Sequence, residues 1–274
     1  MDWLDALILG IVQGLAEYLP ISSSGHLVIF REILGIKLQG DDALEFDVIL
    51  HAATVLSTVV VLWPLFRDLC KSFFTFKKDD NFWYVIKILI SCIPIAIVGF
   101  CFKDMVESVF TGNLTVVGIC LLATACLLAF AHYSDRLMNG KMVSANRGRD
   151  ITFADALTIG VAQAVAVLPG LSRSGTTIAT GILIGDKRDK VASFSFLMVI
   201  IPIVGEALLS LKDILAGETT GQAPVSDTCL LIGFVSAFLV GCAACKWMLN
   251  LVKKGKLIWF ALYCVIVAIL CLVW

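Results

Sequence analysis

Charge is scarce in this chain: Asp, Glu, Lys and Arg make up 16% of its 274 residues, where a water-soluble domain carries about a quarter. That deficit excludes an ordinary soluble surface. The charges nearly cancel, at a net −1, so nothing points to nucleic acid and no such partner is expected. The opening residues Met1-Asp2-Trp3-Leu4-Asp5 carry no positive side chain, which argues against a cleaved signal peptide. Ten cysteines are present, but without the His or Cys companions of a metal or disulfide framework. Most of them, including the Cys242-x-x-Cys245 pair, lie in or beside apolar runs, where Cys packs as a small hydrophobe.

Long apolar runs are what the chain does have, among them Val48–Leu65, Val85–Phe102, Leu114–Ala131 and Ile258–Trp274. At 1.5 Å per residue, each is about long enough for a hydrocarbon core of roughly 30 Å. The expected fold class is an all-α integral membrane protein. Six full spans are expected, at about 43–67, 83–102, 114–133, 188–210, 228–250 and 256–274. Two further apolar stretches break in the middle. Residues 3–20 read as a helix interrupted by Pro20 and the Ser22–Gly25 segment, with a return leg over about 24–34. Residues 152–168 repeat the pattern, breaking at Pro169-Gly170 and returning over about 174–185. A leg of about 12 residues rises only roughly 18 Å, too little to cross. Both stretches therefore read as re-entrant hairpins, a shape tolerated where broken backbone lines a cavity or is buried in protein.

Loop charge supports one orientation. Arg67, Lys71, Lys77 and Lys78 occupy one loop, and Arg136, Lys141, Arg147 and Arg149 another. Lys187, Arg188 and Lys190, then Lys246, Lys253, Lys254 and Lys256, add to the same side. The opposite side holds only Arg31, Lys37, Lys103 and Lys212. Both termini are then expected outside, with the first hairpin opening outward and the second toward the cytoplasm.

The chain also repeats itself. Asp5–Gln13 matches Asp155–Gln163 at an offset of 150, and the same offset lays Ile21-Ser22-Ser23-Ser24-Gly25 over Leu171-Ser172-Arg173-Ser174-Gly175. One membrane domain over 1–274 is expected, with repeats at approximately 1–135 and 150–274. Each repeat holds one hairpin and three spans, and an odd number of crossings inverts the second copy. Such symmetry brings both tips together near the midplane, each followed by a helix N-terminus that favours an anion.

Ionisable residues inside a bilayer are costly and point to function. Gln13-x-x-x-Glu17 followed by Ser22-Ser23-Ser24-Gly25-His26 forms tip one; Pro169-Gly170-Leu171-Ser172-Arg173-Ser174-Gly175-Thr176-Thr177 forms tip two. Gln13 and Glu17 share a helix face, and Arg173 can hold phosphate through two parallel bonds. With these two segments the chain resembles the undecaprenyl-diphosphate phosphatases of the bacitracin-resistance type. The resemblance covers the whole length. It implies hydrolysis of a C55 polyprenyl diphosphate with release of phosphate, recycling of the cell-wall lipid carrier, and bacitracin resistance. It also implies a divalent cation, Mg²⁺ or Ca²⁺, and a bacterial inner-membrane location with the site facing outward.

Residue roles follow as expectations. Arg173 clamps the terminal phosphate. Glu17 is a cation ligand or a general acid/base, and Gln13 adds only a neutral oxygen to a metal site. The nucleophile is Ser23 activated by His26, or His26 itself. Ser22, Ser24, Ser172, Ser174 and Thr177 are expected phosphate donors. A lipid-phosphate transporter would use the same hairpins, but would not need Glu17 and His26 as an acid/base pair. A type-2 phosphatidic-acid phosphatase would show a His at a set spacing after Ser-Arg, which Ser172-Arg173 lacks. His51 stands between a cavity role and simple packing, Glu206 and His132 read as structural, and a homodimer stays open.

Overall fold

The computed structural model describes residues 1–36, 38, 41–101, 113–139, 148–215 and 225–273. Among them the chain forms α1 (Trp3–Ala16), α2 (Ser23–Leu34), α3 (Asp41–Val61), α4 (Trp63–Phe74), α5 (Asp80–Cys101) and α6 (Leu114–Asn139). Then come α7 (Phe153–Val165), α8 (Arg173–Leu183), α9 (Arg188–Met198), α10 (Ile200–Leu215), α11 (Asp227–Lys253) and α12 (Ile258–Val273). No strand occurs among the described residues. Lys37, Lys103, Lys141 and Arg147 of the loop-charge comparison, and the span ends Phe102 and Trp274, lie outside them.

The repeat seen in sequence is a repeat of local structure. A capping box opens α1, with Asp2 accepting from the Asp5 N–H and Asp5 returning to the Asp2 N–H. Thr152 and Asp155 build the same box on α7. Ser22 Oγ accepts from the Gly25 N–H at the head of α2, and Ser172 Oγ accepts from the Gly175 N–H at the head of α8. Each cap satisfies a donor that a helix start would otherwise leave bare.

Four described stretches are long and apolar enough to cross a membrane: α5, Leu114–Ser134 within α6, Arg188–Leu209 and α11. The expected span at 43–67 is bent rather than straight. Its helix stops at Val61, and α4 leaves at an angle of 88°. Pro64, in the first turn of α4, has no N–H to give the Val60 carbonyl, which favours a break at this point. Counting the bent pair as one span makes five. α12 is apolar but has 16 residues.

Each broken segment packs on a long helix from the other half of the chain. α1 lies along α11, where a Cβ on Gly10 would fall 2.6 Å from the Gly233 carbonyl oxygen. α7 lies along α5, where a Cβ on Gly160 would fall 2.8 Å from Ser91 Cα. Small residues at these crossings let helices approach without a hydrophobic drive, as bilayer packing requires. The two tips touch: a Cβ on Gly25 would sit 3.1 Å from Gly170 Cα, and one on Gly175 would sit 3.1 Å from Pro20 Cβ. The exterior is apolar, with Leu231, Leu239, Trp259 and Val273 all exposed, whereas Gln13, Ser57, Ser91 and Thr124 are fully buried. A soluble protein would reverse this.

Candidate active site

Glu17 is the first residue past α1, where the helix unwinds toward Pro20. Its carboxylate is buried, with only 8% of the side chain exposed. Ser23 Oγ donates to Glu17 Oε2 at 2.7 Å, and Gln13 Nε2 donates to the same oxygen at 3.0 Å. The other oxygen, Oε1, lies 3.5 Å from Arg173 Nη2. That cation comes from the opposite tip, 156 positions along the chain. A buried carboxylate without such a partner would be strongly disfavoured.

The turn between Glu17 and Ser23 is held unusually. Ser22 has φ of 72°, the left-handed region that a side chain rarely adopts. His26 braces it: Nδ1–H donates to the Ser22 carbonyl at 2.8 Å, leaving Nε2 to accept from the Tyr263 hydroxyl at 2.8 Å. The His26 and Tyr263 rings stack with centroids 5.6 Å apart. The expected Ser23–His26 pair is therefore replaced by Ser23–Glu17 and His26–Tyr263. His26 lines a separate, mostly apolar cavity with Ile29, Ile33, Leu114, Tyr263 and Leu270.

On the second tip, Gly170 has φ of 90° and presses on α6, where a Cβ would fall 2.6 Å from the Val117 carbonyl oxygen. Thr124 Oγ1 accepts from the Ser172 N–H at 3.1 Å, fixing the start of α8 and hence Arg173, its first residue. Ser174 Oγ donates to the Leu19 carbonyl at 3.2 Å, tying tip to tip. Ser22 and Ser172 act as caps; Ser24 Oγ lies 3.4 Å from Ser22 Oγ, and Ser174 Oγ the same distance from Ser172 Oγ. Thr177 Oγ1 donates to the Arg173 carbonyl at 2.9 Å. Glu17, Arg173, Ser174 and Thr177 line one cavity.

The model of the bacitracin resistance protein BacA family matches residues 6–270. The chain belongs to that family. It is 53% identical over 267 residues to an undecaprenyl-diphosphatase of Bacteroides thetaiotaomicron, covering 97% of this chain and 96% of the relative. An undecaprenyl-diphosphatase of Parabacteroides distasonis is also 53% identical over 267 residues, covering 97% of this chain and 96% of that one. One from Halothermothrix orenii is 39% identical over 273 residues, covering 100% of this chain and 98% of the relative. Family membership and several apolar helices together make the chain a multi-pass membrane protein.

In this family member two site residues were weakly marked or unmarked in sequence. His51, on α3, brings Nε2 to 3.4 Å from Arg173 Nη2 and 3.7 Å from Glu17 Oε2; as an ionisable group inside an apolar run it carried a signal. Tyr263, on α12, carried none. The divalent cation implied by the resemblance finds a partial donor set. Gln13 Oε1 is buried without a hydrogen-bond partner among the described residues, one turn from Glu17. No cluster of three His, Cys, Asp or Glu occurs among those residues. One carboxylate and one amide oxygen suit an ion that takes its other ligands from phosphate oxygens and water.

Proposed function

We propose that the chain hydrolyses undecaprenyl diphosphate to undecaprenyl phosphate and inorganic phosphate. This recycles the lipid carrier of wall synthesis and protects against bacitracin, which sequesters that lipid. The observation that carries the proposal is the Ser23–Glu17–Arg173 assembly, a hydroxyl hydrogen-bonded to a buried carboxylate beside one guanidinium. Relatives spanning nearly the whole chain bear the name undecaprenyl-diphosphatase.

Ser23 Oγ attacks the terminal phosphorus while its proton passes to Glu17 Oε2. The phosphoanhydride P–O bond breaks, undecaprenyl phosphate leaves carrying the proton from Glu17, and a phosphoserine remains. Water then gives a proton to the ionised Glu17 and attacks that phosphorus; the Ser23 Oγ–P bond breaks, inorganic phosphate leaves, and Oγ takes the proton back from Glu17. Arg173 turns from Glu17 to the phosphate and offsets charge in both transition states. The backbone N–H groups at the heads of α2 and α8 and the hydroxyls of Ser22, Ser24, Ser172, Ser174 and Thr177 hold phosphate oxygens. Gln13 and Glu17 would hold a Mg²⁺ or Ca²⁺ ion, which when bound neutralises phosphate charge. The mostly apolar cavity beside His26 and Tyr263 has the chemistry a prenyl tail requires.

Around this site the reading places six spans, α3 with α4 and α12 included, and two re-entrant hairpins, α1–α2 and α7–α8, in one membrane domain. Its halves, about 1–135 and 150–274, are related by inversion. What supports this is the matched caps at an offset of 150 and the reciprocal packing of α1 on α11 and α7 on α5. Loop charge supports termini facing outward, and the family resemblance supports a site facing outward. The test is phosphate release from undecaprenyl diphosphate by purified protein in detergent. Release without any sealed compartment is expected; activity that exists only as lipid movement across vesicles would replace the proposal with a transporter.

A further inference from the structure

Gln13 and Gln163 are equivalent positions of the repeat, yet their surroundings differ in one respect. Gln13 has a carboxylate four residues on, and its Nε2 donates to Glu17 at 3.0 Å. At the same step from Gln163 stands Val167. Gln163 is 1% exposed, and its Nε2 has no hydrogen-bond partner among the described residues. Ser195 Oγ, on α9, shares that condition in a residue 4% exposed. Both side chains line the cavity that holds Glu17 and Arg173. Leaving a buried donor bare is unfavourable, and two facing one cavity suit a ligand rich in acceptors.

A diphosphate presents two phosphoryl groups, and the Ser23–Glu17 pair can engage only the one under attack. We infer that Gln163 Nε2 and Ser195 Oγ, with Arg173 alongside, form a second phosphate-oxygen subsite on the α7–α9 side of the cavity. This rests on the phosphatase reading above. The ligand is a tetrahedral phosphate oxyanion. It is either the phosphoryl group that stays on the lipid or the inorganic phosphate that leaves, and both offer acceptors to neutral donors and one cation.

The test uses full-length protein in detergent with Gln163→Leu and Ser195→Ala, the second a smaller change that guards against a folding defect in the first. Three constants are measured: KM for undecaprenyl diphosphate, and inhibition constants for inorganic phosphate and for undecaprenyl phosphate. A weakening of about tenfold per lost donor is expected in at least one inhibition constant. A change confined to inorganic phosphate assigns the subsite to the released group; one confined to the lipid monophosphate assigns it to the retained group. Unchanged constants in both variants, with turnover intact, overturn the inference. Should the wild type release no phosphate, the phosphatase reading falls by itself. Protection of the wild type against thermal unfolding by inorganic phosphate or lipid monophosphate, lost in the variants, then supports the subsite; equal protection in all three proteins overturns it.

Discussion

Ser23 donates its hydroxyl hydrogen to Glu17 across 2.7 Å, over the turn between α1 and α2, while His26 on the same face of α2 as Ser23 turns to Tyr263. In the proposed mechanism the base beside the serine is this carboxylate, and the imidazole braces Ser22 through its carbonyl. Removing Ser23 or Glu17 should cut turnover about 10²–10⁴-fold. His26→Ala and Tyr263→Phe should each cost about tenfold or less and, acting on one bond, should not add in the double variant. Steady-state phosphate release from the three singles and the double decides this. A His26→Ala defect as deep as that of Ser23→Ala would make His26 the nucleophile or its base.

Arg173 faces Glu17 at 3.5 Å, and the proposed mechanism has it turn to the phosphate. Arg173→Lys keeps the charge but loses the planar fork. We expect it to lower kcat about 10²-fold or more, with a smaller change in KM, because the interaction tightens on the transition state. A rise in KM alone would limit Arg173 to substrate capture.

The divalent cation should respond to Gln13. Chelator is expected to suppress phosphate release, and added Mg²⁺ or Ca²⁺ to restore it. Gln13→Glu supplies a second carboxylate next to Glu17 and should lower the Mg²⁺ concentration needed for half-maximal rate. Release that ignores chelator in both proteins would remove the ion from the site.

Helix contact rather than chemistry is probed at Gly10. A side chain there meets the Gly233 carbonyl and Ser236 on α11. Gly10→Val should destabilise the protein by about 1–3 kcal/mol through overpacking, seen as a lower unfolding temperature in detergent. A wild-type transition would mean that α1 can slide away from α11 without cost.

Asp186 gives the base of the second hairpin a pH dependence. The residue is 4% exposed, and burial, reinforced by the Asp155 carboxylate and opposed by Arg149, pushes its carboxyl up from 3.8 to about 7. The folded state thus favours the protonated form. That stabilisation is complete below about pH 4 and is lost as pH climbs to about 7. Unfolding temperature should fall across this window, and Asp186→Asn, which carries no titrating proton, should flatten the slope. An equal slope in the variant would assign it to other groups.

Much of the architecture could be read directly from residue order. Long uncharged runs announce a bilayer, because charge inside hydrocarbon is too costly to keep without a use. Pro20 with Ser22–Gly25, and Pro169-Gly170, mark the two helix breaks, and the offset of 150 pairs them. Glu17, Ser23 and Arg173 stand out as polar groups at those breaks, and all three meet in space. Less legible was the run 43–67, whose hydropathy is continuous although Pro64 denies Val60 a hydrogen-bond donor and turns the helix aside.

Sequence by itself determined the solvent, the breaks and the residue types gathered at the tips, since these depend on local composition and on backbone bonds within a few residues. Only the tertiary structure decided which partner each polar group takes. Ser23 and His26 are three residues apart, a spacing that permits their pairing without requiring it. His26 instead reaches Tyr263, 237 positions away, and His51 joins Glu17 and Arg173 from α3. Those choices come from helix packing, which brings distant donors into hydrogen-bond range in a buried, low-dielectric interior and so outweighs closeness along the chain.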